Sequence, residues 1–232
     1  MRVSKATRCF LVKDYLKRYP DVFTATEQKY LLGYACSDDM DFVFVPDLVR
    51  ELYDELGLLE NDENIYLGFI DLICQNFDIT DRKIIEVGGG VLPRLGERIS
   101  LMQNKGSITV YDPRLSVHKH DGEKLKLVRK KFTRRQDVEG VDLLLGFMPC
   151  EAADVIVETA VDKKIDFMVA LCEGGPHGDE FDYFEDEEEW RYSLISRART
   201  RVKEQEMGAL KIKYMRDYGN PYPVIYNDRK ER

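Results

Sequence analysis

The chain has 232 residues, with 35 Lys and Arg against 43 Asp and Glu, which gives a formal net charge of −8. A hydrophobic fraction of 44% is ample for a packed core and excludes general disorder. No run of about 18 apolar residues occurs and no secretory apolar segment follows the N-terminal residues, so we expect neither a membrane span nor export.

The cysteines indicate a reduced protein. The sequence has five, widely separated, and no two of them have C-x-x-C spacing. This pattern argues against a zinc ribbon and against a disulfide framework. We therefore expect free cysteines and a cytoplasmic location. The five are Cys9, Cys36, Cys74, Cys150 and Cys172.

The first 80 residues are predicted to be mostly helical. A weak helical pattern covers residues 1–35, and a second helix begins near Pro46, which suits a first helical turn. Apolar residues at helical spacing from Ile65 to Phe77 predict a third, amphipathic helix. We expect these helices to form an N-terminal lobe over residues 1–80.

From residue 83, short apolar runs alternate with helical patterns, which is typical of βαβ units and a parallel sheet. Residues 81–232 are therefore predicted to form a second domain of the α/β class. We expect a three-layer sandwich with a mostly parallel seven-stranded sheet and a terminal antiparallel hairpin. The predicted strands are 84–87, 108–111, 125–132, 141–145, 165–172, 210–215 and 223–226. Helices are predicted between residues 92 and 102, over 151–161 and over 184–207.

A glycine-rich turn follows the first predicted strand, where Gly88, Gly89 and Gly90 stand in succession. Glycines at such a turn allow positive φ and a close approach of a ligand to the backbone. Asp112 ends the second strand, 24 residues beyond Gly88, where a carboxylate can accept hydrogen bonds from ribose hydroxyls. In an open parallel sheet, ligands bind beyond these strand ends. The two features together predict a cofactor that contains a nucleoside.

A dinucleotide is the less suitable of the candidate cofactors. The fingerprint G-x-G-x-x-G requires a third glycine, and Pro93 lacks an N–H that could face a diphosphate. Glu86, two residues before the first glycine, suits a cofactor with a cationic amino group instead. A dinucleotide enzyme and a non-catalytic Rossmann-like protein remain the alternatives.

The segment from Glu86 to Gly90 resembles the first motif of the class I S-adenosylmethionine-dependent methyltransferases: an acid, any residue, glycine, any residue, glycine. Asp112 matches the acid that ends strand two in that family. The resemblance covers about residues 60–230 and implies S-adenosylmethionine as cofactor and methyl transfer as activity. Leu92 departs from the pattern at the third glycine position. The implied cofactor-binding residues are Glu86, Gly88, Gly89, Gly90, Asp112, Pro113 and Phe147.

The loop after strand four contains a candidate nucleophile. Its Pro149-Cys150 pair resembles that of the cytosine-C5 methyltransferases, whose cysteine attacks the base, although Glu151 replaces the glutamine that follows. The stretch from Gly146 to Cys150 also resembles a methyltransferase subgroup with a Gly-x-x-x-Cys loop, several members of which act on RNA. A buried cysteine with no catalytic role is the alternative. The catalytic candidates are Cys150, Glu173 and His177.

Two other patterns are interpreted without a site. His118 and His120 lie in a polar segment with no further ligand at suitable spacing, so no metal site is predicted. Asn220-Pro221-Tyr222 resembles an amino-methylating motif but lies in the terminal hairpin, where it indicates a turn.

An uneven charge distribution bears on the methyl acceptor. The segment from Lys124 to Arg135 has seven basic residues and no acid. Such a cluster can contact several phosphates, so RNA is slightly favoured as acceptor over a small molecule. A solvated edge strand that uses lysine against aggregation is the alternative.

Overall fold

Seven strands form one mixed sheet. A computed structural model of the chain describes residues 5–36, 49, 52, 56, 63–90, 93–115, 122–172, 184, 186–217 and 220–229. The strands are β1 Lys83–Val87, β2 Ser107–Tyr111, β3 Leu125–Val128, β4 Leu143–Phe147, β5 Asp166–Ala170, β6 Ala209–Asp217 and β7 Asn220–Asp228. Their order is β3-β2-β1-β4-β5-β7-β6. The first five strands are parallel, and β7 runs antiparallel to both β5 and β6. The predicted seven-stranded sheet with its terminal hairpin is confirmed.

Helices cover both faces of the sheet. They are α1 Lys5–Arg18, α2 Ala25–Ala35, α3 Glu63–Asn76, α4 Arg94–Met102, α5 Ala153–Lys163 and α6 Glu187–Glu204, with a 3₁₀ turn at Cys150–Ala152. Leu143 and Leu145 of β4 join a core with residues of α3 and α4, whereas Leu144 joins a second core with residues of α5 and α6. Successive strand residues point to opposite faces, so β4 is apolar throughout because both faces are covered. The predicted three-layer sandwich follows.

Several predicted boundaries are wrong, and Asn220-Pro221-Tyr222, predicted as a turn, begins β7 instead. The third strand ends at Val128 and not at residue 132, because the chain turns there with a hydrogen bond from Lys130 N to Val128 O of 2.8 Å. The fourth strand begins two residues late, after a turn in which Val141 N donates to Val138 O at 3.1 Å. The helix expected from residue 151 begins at residue 153, after the 3₁₀ turn.

The N-terminal helices have a core of their own. Val12 and Leu16 of α1 pack with Leu31 of α2, and Val49 and Leu52 complete the same core. Most of the helix predicted near Pro46 lies outside the described residues. α3 belongs to the sheet core instead, so the predicted division at residue 80 stays a prediction. Across the described part of the chain, the helices are too short or too polar to cross a membrane.

A disulfide joins Cys9 of α1 to Cys36 at the end of α2, with their Cα atoms 5.2 Å apart. The expectation of free cysteines throughout is therefore wrong at this pair. Local spacing could not reveal it, because the antiparallel packing of α1 on α2 brings together residues that are 27 positions apart. Cys74, Cys150 and Cys172 are free thiols.

Replacing the pair, Cys9→Ser with Cys36→Ser, is expected to lower the free energy of unfolding. Opening a cross-link of 27 residues increases the entropy of the unfolded chain, which corresponds to about 3–4 kcal/mol. Urea denaturation without reductant measures this loss. Cys74→Ser, at an exposed free thiol, is the control and is expected to change stability by less than about 0.5 kcal/mol. Equal stability of the double variant and the parent would contradict the disulfide.

Candidate functional site

The candidate residues meet at the point where the strand order reverses. The chain moves from β1 outward to β2 and β3, and then returns to the other side of β1 with β4. Loops at the carboxyl ends of β1 and β4 therefore leave the sheet in opposite directions and open a crevice. The glycine turn after β1, Asp112 after β2 and the loop after β4 all border this crevice.

The turn after β1 has a backbone conformation that requires glycine. Gly88 and Gly90 have φ angles of +83° and +72°. Gly88 N donates to Tyr111 O at 2.9 Å, which holds the turn against the end of β2. A Cβ on Gly89 would lie 2.3 Å from Cγ1 of Val110, so no other residue fits without displacement. The turn is therefore closely packed on its core side, where only glycine fits.

Asp112 is buried and fastens two turns together. Its Oδ2 accepts a hydrogen bond from Gly90 N at 2.9 Å, and its Oδ1 accepts one from Arg114 N at 2.7 Å. Arg114 Nε donates a third, longer hydrogen bond to Oδ1 at 3.4 Å. A carboxylate has about four lone-pair sites, so the capacity left for ligand hydroxyls is mainly on Oδ2. Asp112 thus lies where a ribose-binding carboxylate is expected, already oriented by its own backbone contacts.

Glu86 lies beneath the turn, on the face of the sheet that α4 covers. Only 2% of the residue is exposed, and burial raises the pKa of its carboxyl to about 8. The N–H of Gly96 opposes that rise, and the negative charges of Asp112 and Glu97 add to it. Among the described residues, Oε2 has no hydrogen-bond partner. The carboxyl therefore lies in the core beneath the turn. Its direct contact with a cofactor amino group stays a prediction.

The loop after β4 is strained. Met148 and Cys150 both have positive φ, at +49° and +45°, on either side of Pro149. Left-handed backbone costs a non-glycine residue about 1–2 kcal/mol, and such strain clusters at functional sites. Met148 N donates to Ala170 O at 2.9 Å, which fixes the loop to β5. Pro149 packs directly on Gly88, its Cα 2.9 Å from where a Cβ would stand.

The catalytic candidates have unequal support. The Cys150 thiol donates a weak hydrogen bond to Met148 O at 3.6 Å, and this contact does not test a nucleophilic role, which stays a prediction. Glu173 and His177 lie outside the described residues, as do His118 and His120. Within the ranges described, His, Cys, Asp and Glu side chains form no group that could hold a metal ion.

The two remaining predicted residues flank the crevice. Pro113 is exposed after β2, and its carbonyl accepts a hydrogen bond from Arg129 Nε at 3.3 Å. Phe147 is the last residue of β4 and is half-buried, with its ring centroid 4.8 Å from that of Tyr66. Phe147 therefore faces α3 and not the glycine turn, although it adjoins the loop that contacts the turn.

The basic segment 124–135 is largely occupied by contacts with the chain itself. Lys131 forms an ion pair with Glu151 at 3.2 Å, and Arg134 pairs with Glu158. Lys124 Nζ donates to Gln103 O at 2.6 Å, and Lys130 lies 5.9 Å from the centroid of the Tyr111 ring. Sequence analysis recognised the cations but missed their partners.

The partners form an acidic row on α5. Arg197 of α6 pairs with Asp154 at 2.7 Å, and Trp190 Nε1 donates to the same carboxylate at 2.9 Å. Arg201 pairs with Asp162 farther along. The signal was available in the sequence, because acids three or four positions apart share one face of a helix. That face meets the basic segment on one side and α6 on the other.

The fold is similar to that of a solved methyltransferase. Magnesium protoporphyrin IX methyltransferase from Synechocystis PCC 6803, with bound S-adenosylmethionine, superposes with a TM-score of 0.50 at 8% identity, over 93% of this chain and 95% of that one. The same enzyme with bound S-adenosylhomocysteine gives a TM-score of 0.50 at 7% identity, over 92% and 98%. No protein-family model matches the sequence, and no curated protein matches it.

Glu86→Gln is expected to flatten the pH dependence of stability. The carboxyl of the folded protein keeps its proton up to about pH 8, whereas the unfolded chain releases it near 4.5. The contribution of this group to the free energy of unfolding is fully present below pH 4.5. It falls by about 1.4 kcal/mol per unit of pH as the pH rises from there towards 8. Urea denaturation from pH 5 to pH 8 measures the slope, with Glu139→Gln at an exposed site as control. Parallel curves for Glu86→Gln and the parent would contradict the buried neutral carboxyl.

Proposed function

We propose that the chain binds S-adenosylmethionine at the glycine turn and transfers its methyl group to an acceptor in the adjoining crevice. The observation that carries the proposal is the left-handed turn at Gly88 and Gly90, held by the buried carboxylate of Asp112 at the switch point of the sheet. When bound, S-adenosylmethionine supplies a methyl group on a sulfonium, which transfers to a nucleophilic atom and leaves S-adenosylhomocysteine.

In this proposal, the residues of the chain mainly bind the cofactor and the acceptor and orient them for the reaction. Asp112 accepts hydrogen bonds from the ribose hydroxyls, and the backbone of the glycine turn contacts the rest of the cofactor. Pro149, packed on Gly88, fixes the loop beside the reacting atoms. Methyl transfer depends on in-line positioning, with a general base needed only if the acceptor loses a proton. No role for Cys150 is required.

Dinucleotide binding is the second candidate, and α4 argues against it. A diphosphate binds well where free N–H groups begin a helix. Pro93 stands at the N-cap of α4 and has no N–H to offer, and its side chain makes no capping hydrogen bond. A protein that binds the cofactor without catalysis is distinguished only by a transfer assay.

Asp112→Ala is expected to raise the calorimetric Kd for S-adenosylhomocysteine by about 5- to 150-fold, because charge-assisted hydrogen bonds of about 1–3 kcal/mol are lost. Asp142→Ala is the matched control. Its carboxylate also accepts a backbone N–H, from Lys83 at 2.8 Å, but at the amino edge of the sheet. Nicotinamide dinucleotide is titrated in parallel. Binding of the dinucleotide with none of S-adenosylhomocysteine would overturn the proposal.

The ion pairs reduce the support for RNA as the acceptor. Lys131 and Arg134, central to the basic segment, already pair with Glu151 and Glu158. Arg197 of α6 is held by Asp154. A phosphate would have to compete with these carboxylates for the same cations. We therefore propose a small-molecule acceptor and treat RNA as the alternative.

RNA binding is expected to be weak and independent of the basic segment. Fluorescence anisotropy with a labelled single-stranded oligonucleotide, between about 50 and 200 mM salt, measures it. The variant Lys130→Ala, Lys131→Ala, Arg134→Ala, Arg135→Ala should then bind as the parent does. Tight binding that falls steeply with salt and disappears in this variant would establish RNA and refute the small-molecule proposal.

The location of the protein also stays a prediction. The sequence favours the cytoplasm, but the Cys9–Cys36 disulfide is a feature of oxidising compartments. Mass spectrometry of protein alkylated in intact cells, without prior reduction, distinguishes the two.

A further inference from the structure

The side chain of Pro149 lies against two glycines at the carboxyl ends of neighbouring strands. A Cβ on Gly88, after β1, would lie 2.9 Å from both Cα and Cβ of Pro149. A Cβ on Gly146, in β4, would lie 2.9 Å from Cγ of the same proline and 3.4 Å from its Cβ. A larger residue at either position would therefore displace the proline. We call Gly88 and Gly146 the glycine pair.

Backbone contacts hold Pro149 against the glycine pair. Met148 N donates to Ala170 O at 2.9 Å on one side of the proline, and Ala152 N donates to Pro149 O at 3.0 Å on the other. Both neighbours of the proline, Met148 and Cys150, have positive φ. Non-glycine residues keep such a backbone only where the surrounding contacts over-determine it. The loop after β4 is therefore fixed at the residue that contacts the turn.

The glycine turn is held on its other side by β2. Gly88 N donates to Tyr111 O at 2.9 Å, and Gly90 N donates to Asp112 at 2.9 Å. A glycine can adopt many backbone conformations, so contacts with other segments decide which of them Gly88 keeps. Hydrogen bonds supply these contacts from β2, and Pro149 supplies them from the loop after β4. The turn is thus held between two strand ends.

We propose that Pro149 is a positioning residue of the cofactor site. Its ring, placed by Gly146, holds Gly88 and with it the glycine turn in the conformation that binds S-adenosylmethionine. The inference rests on the proposed function, because the turn is the cofactor site proposed above. The effect of Pro149 on the cofactor passes through Gly88, so a change at Gly146 should reach the cofactor only while the proline ring is present.

A double-mutant cycle tests this coupling. A Cβ on Gly146 would also lie 2.6 Å from Cδ1 of Ile156, so every variant is made in the full chain with Ile156→Val, which removes that atom. In this background, Gly146→Ala is expected to raise the calorimetric Kd for S-adenosylhomocysteine about fivefold, because the added methyl displaces the ring that contacts Gly88.

Pro149→Ala is the second arm of the cycle. Alanine keeps the Cβ that contacts Gly88 but lacks the Cγ that contacts Gly146. Pro149→Ala alone is expected to raise the Kd about threefold, because the loop regains the φ freedom that the ring removes. Adding Gly146→Ala to it should then change the Kd by less than about twofold.

Gly140→Ala is the matched control for a general loss of stability. Gly140 also has positive φ, at +70°, in the turn before β4 at the opposite edge of the sheet. Urea denaturation should show that Gly140→Ala is destabilised, whereas its Kd for S-adenosylhomocysteine should stay within about twofold of the parent. If Gly146→Ala does not fold, Pro149→Ala alone decides, and an unchanged Kd in that variant overturns the inference.

Two further results would overturn the positioning role and leave the cofactor proposal intact. One is an equal increase in Kd on Gly146→Ala with and without the proline ring. The other is a Kd for Gly140→Ala that rises as much as that for Gly146→Ala. Failure of the parent chain to bind S-adenosylhomocysteine would instead overturn the proposed function, and titration of the parent identifies that case.

Discussion

The candidate site depends on the hydrogen bond from Gly90 N to the carboxylate of Asp112. This bond joins the turn after β1 to the end of β2, and it selects one of the conformations open to Gly90, with positive φ. A buried carboxylate is costly unless donors satisfy it, and Arg114 N supplies the second backbone donor. The turn is therefore held in place by contacts within the chain itself.

Glu86, a second acid, lies beneath the same turn in apolar surroundings. Glu86 receives one backbone hydrogen bond, from Gly96, and lies in an apolar space closed by Val110. Burial, together with the charge of Asp112, keeps its proton in place near neutral pH. The two carboxyls, on neighbouring strands, thus lie in different environments: hydrogen-bond donors surround Asp112, whereas hydrocarbon surrounds most of Glu86.

Much of the fold could be predicted because its signals are local. Alternation of short apolar runs with helical patterns located the strands, and the glycine turn with Asp112 predicted a candidate site at their carboxyl ends. The Cys9–Cys36 pair and the salt bridges of α5 could not be predicted in the same way, since they join segments that are distant in the sequence. The sequence also assigned Phe147 to the cofactor side, whereas its ring faces Tyr66 of α3, a direction that only the packing of the helix determines.

The same long-range contacts bear on the proposed acceptor. The side chain of Asp154 is 11% exposed and receives hydrogen bonds from Trp190 and Arg197. Arg197 itself is 48% exposed, so water screens the pair, which contributes less than a fully buried pair would. When Arg197 moves away, Trp190 still donates a hydrogen bond to the same carboxylate. A phosphate at the α5 face would therefore have to compete with Asp154 for Arg197, and the cost of that exchange is smaller than the cost of breaking a buried pair.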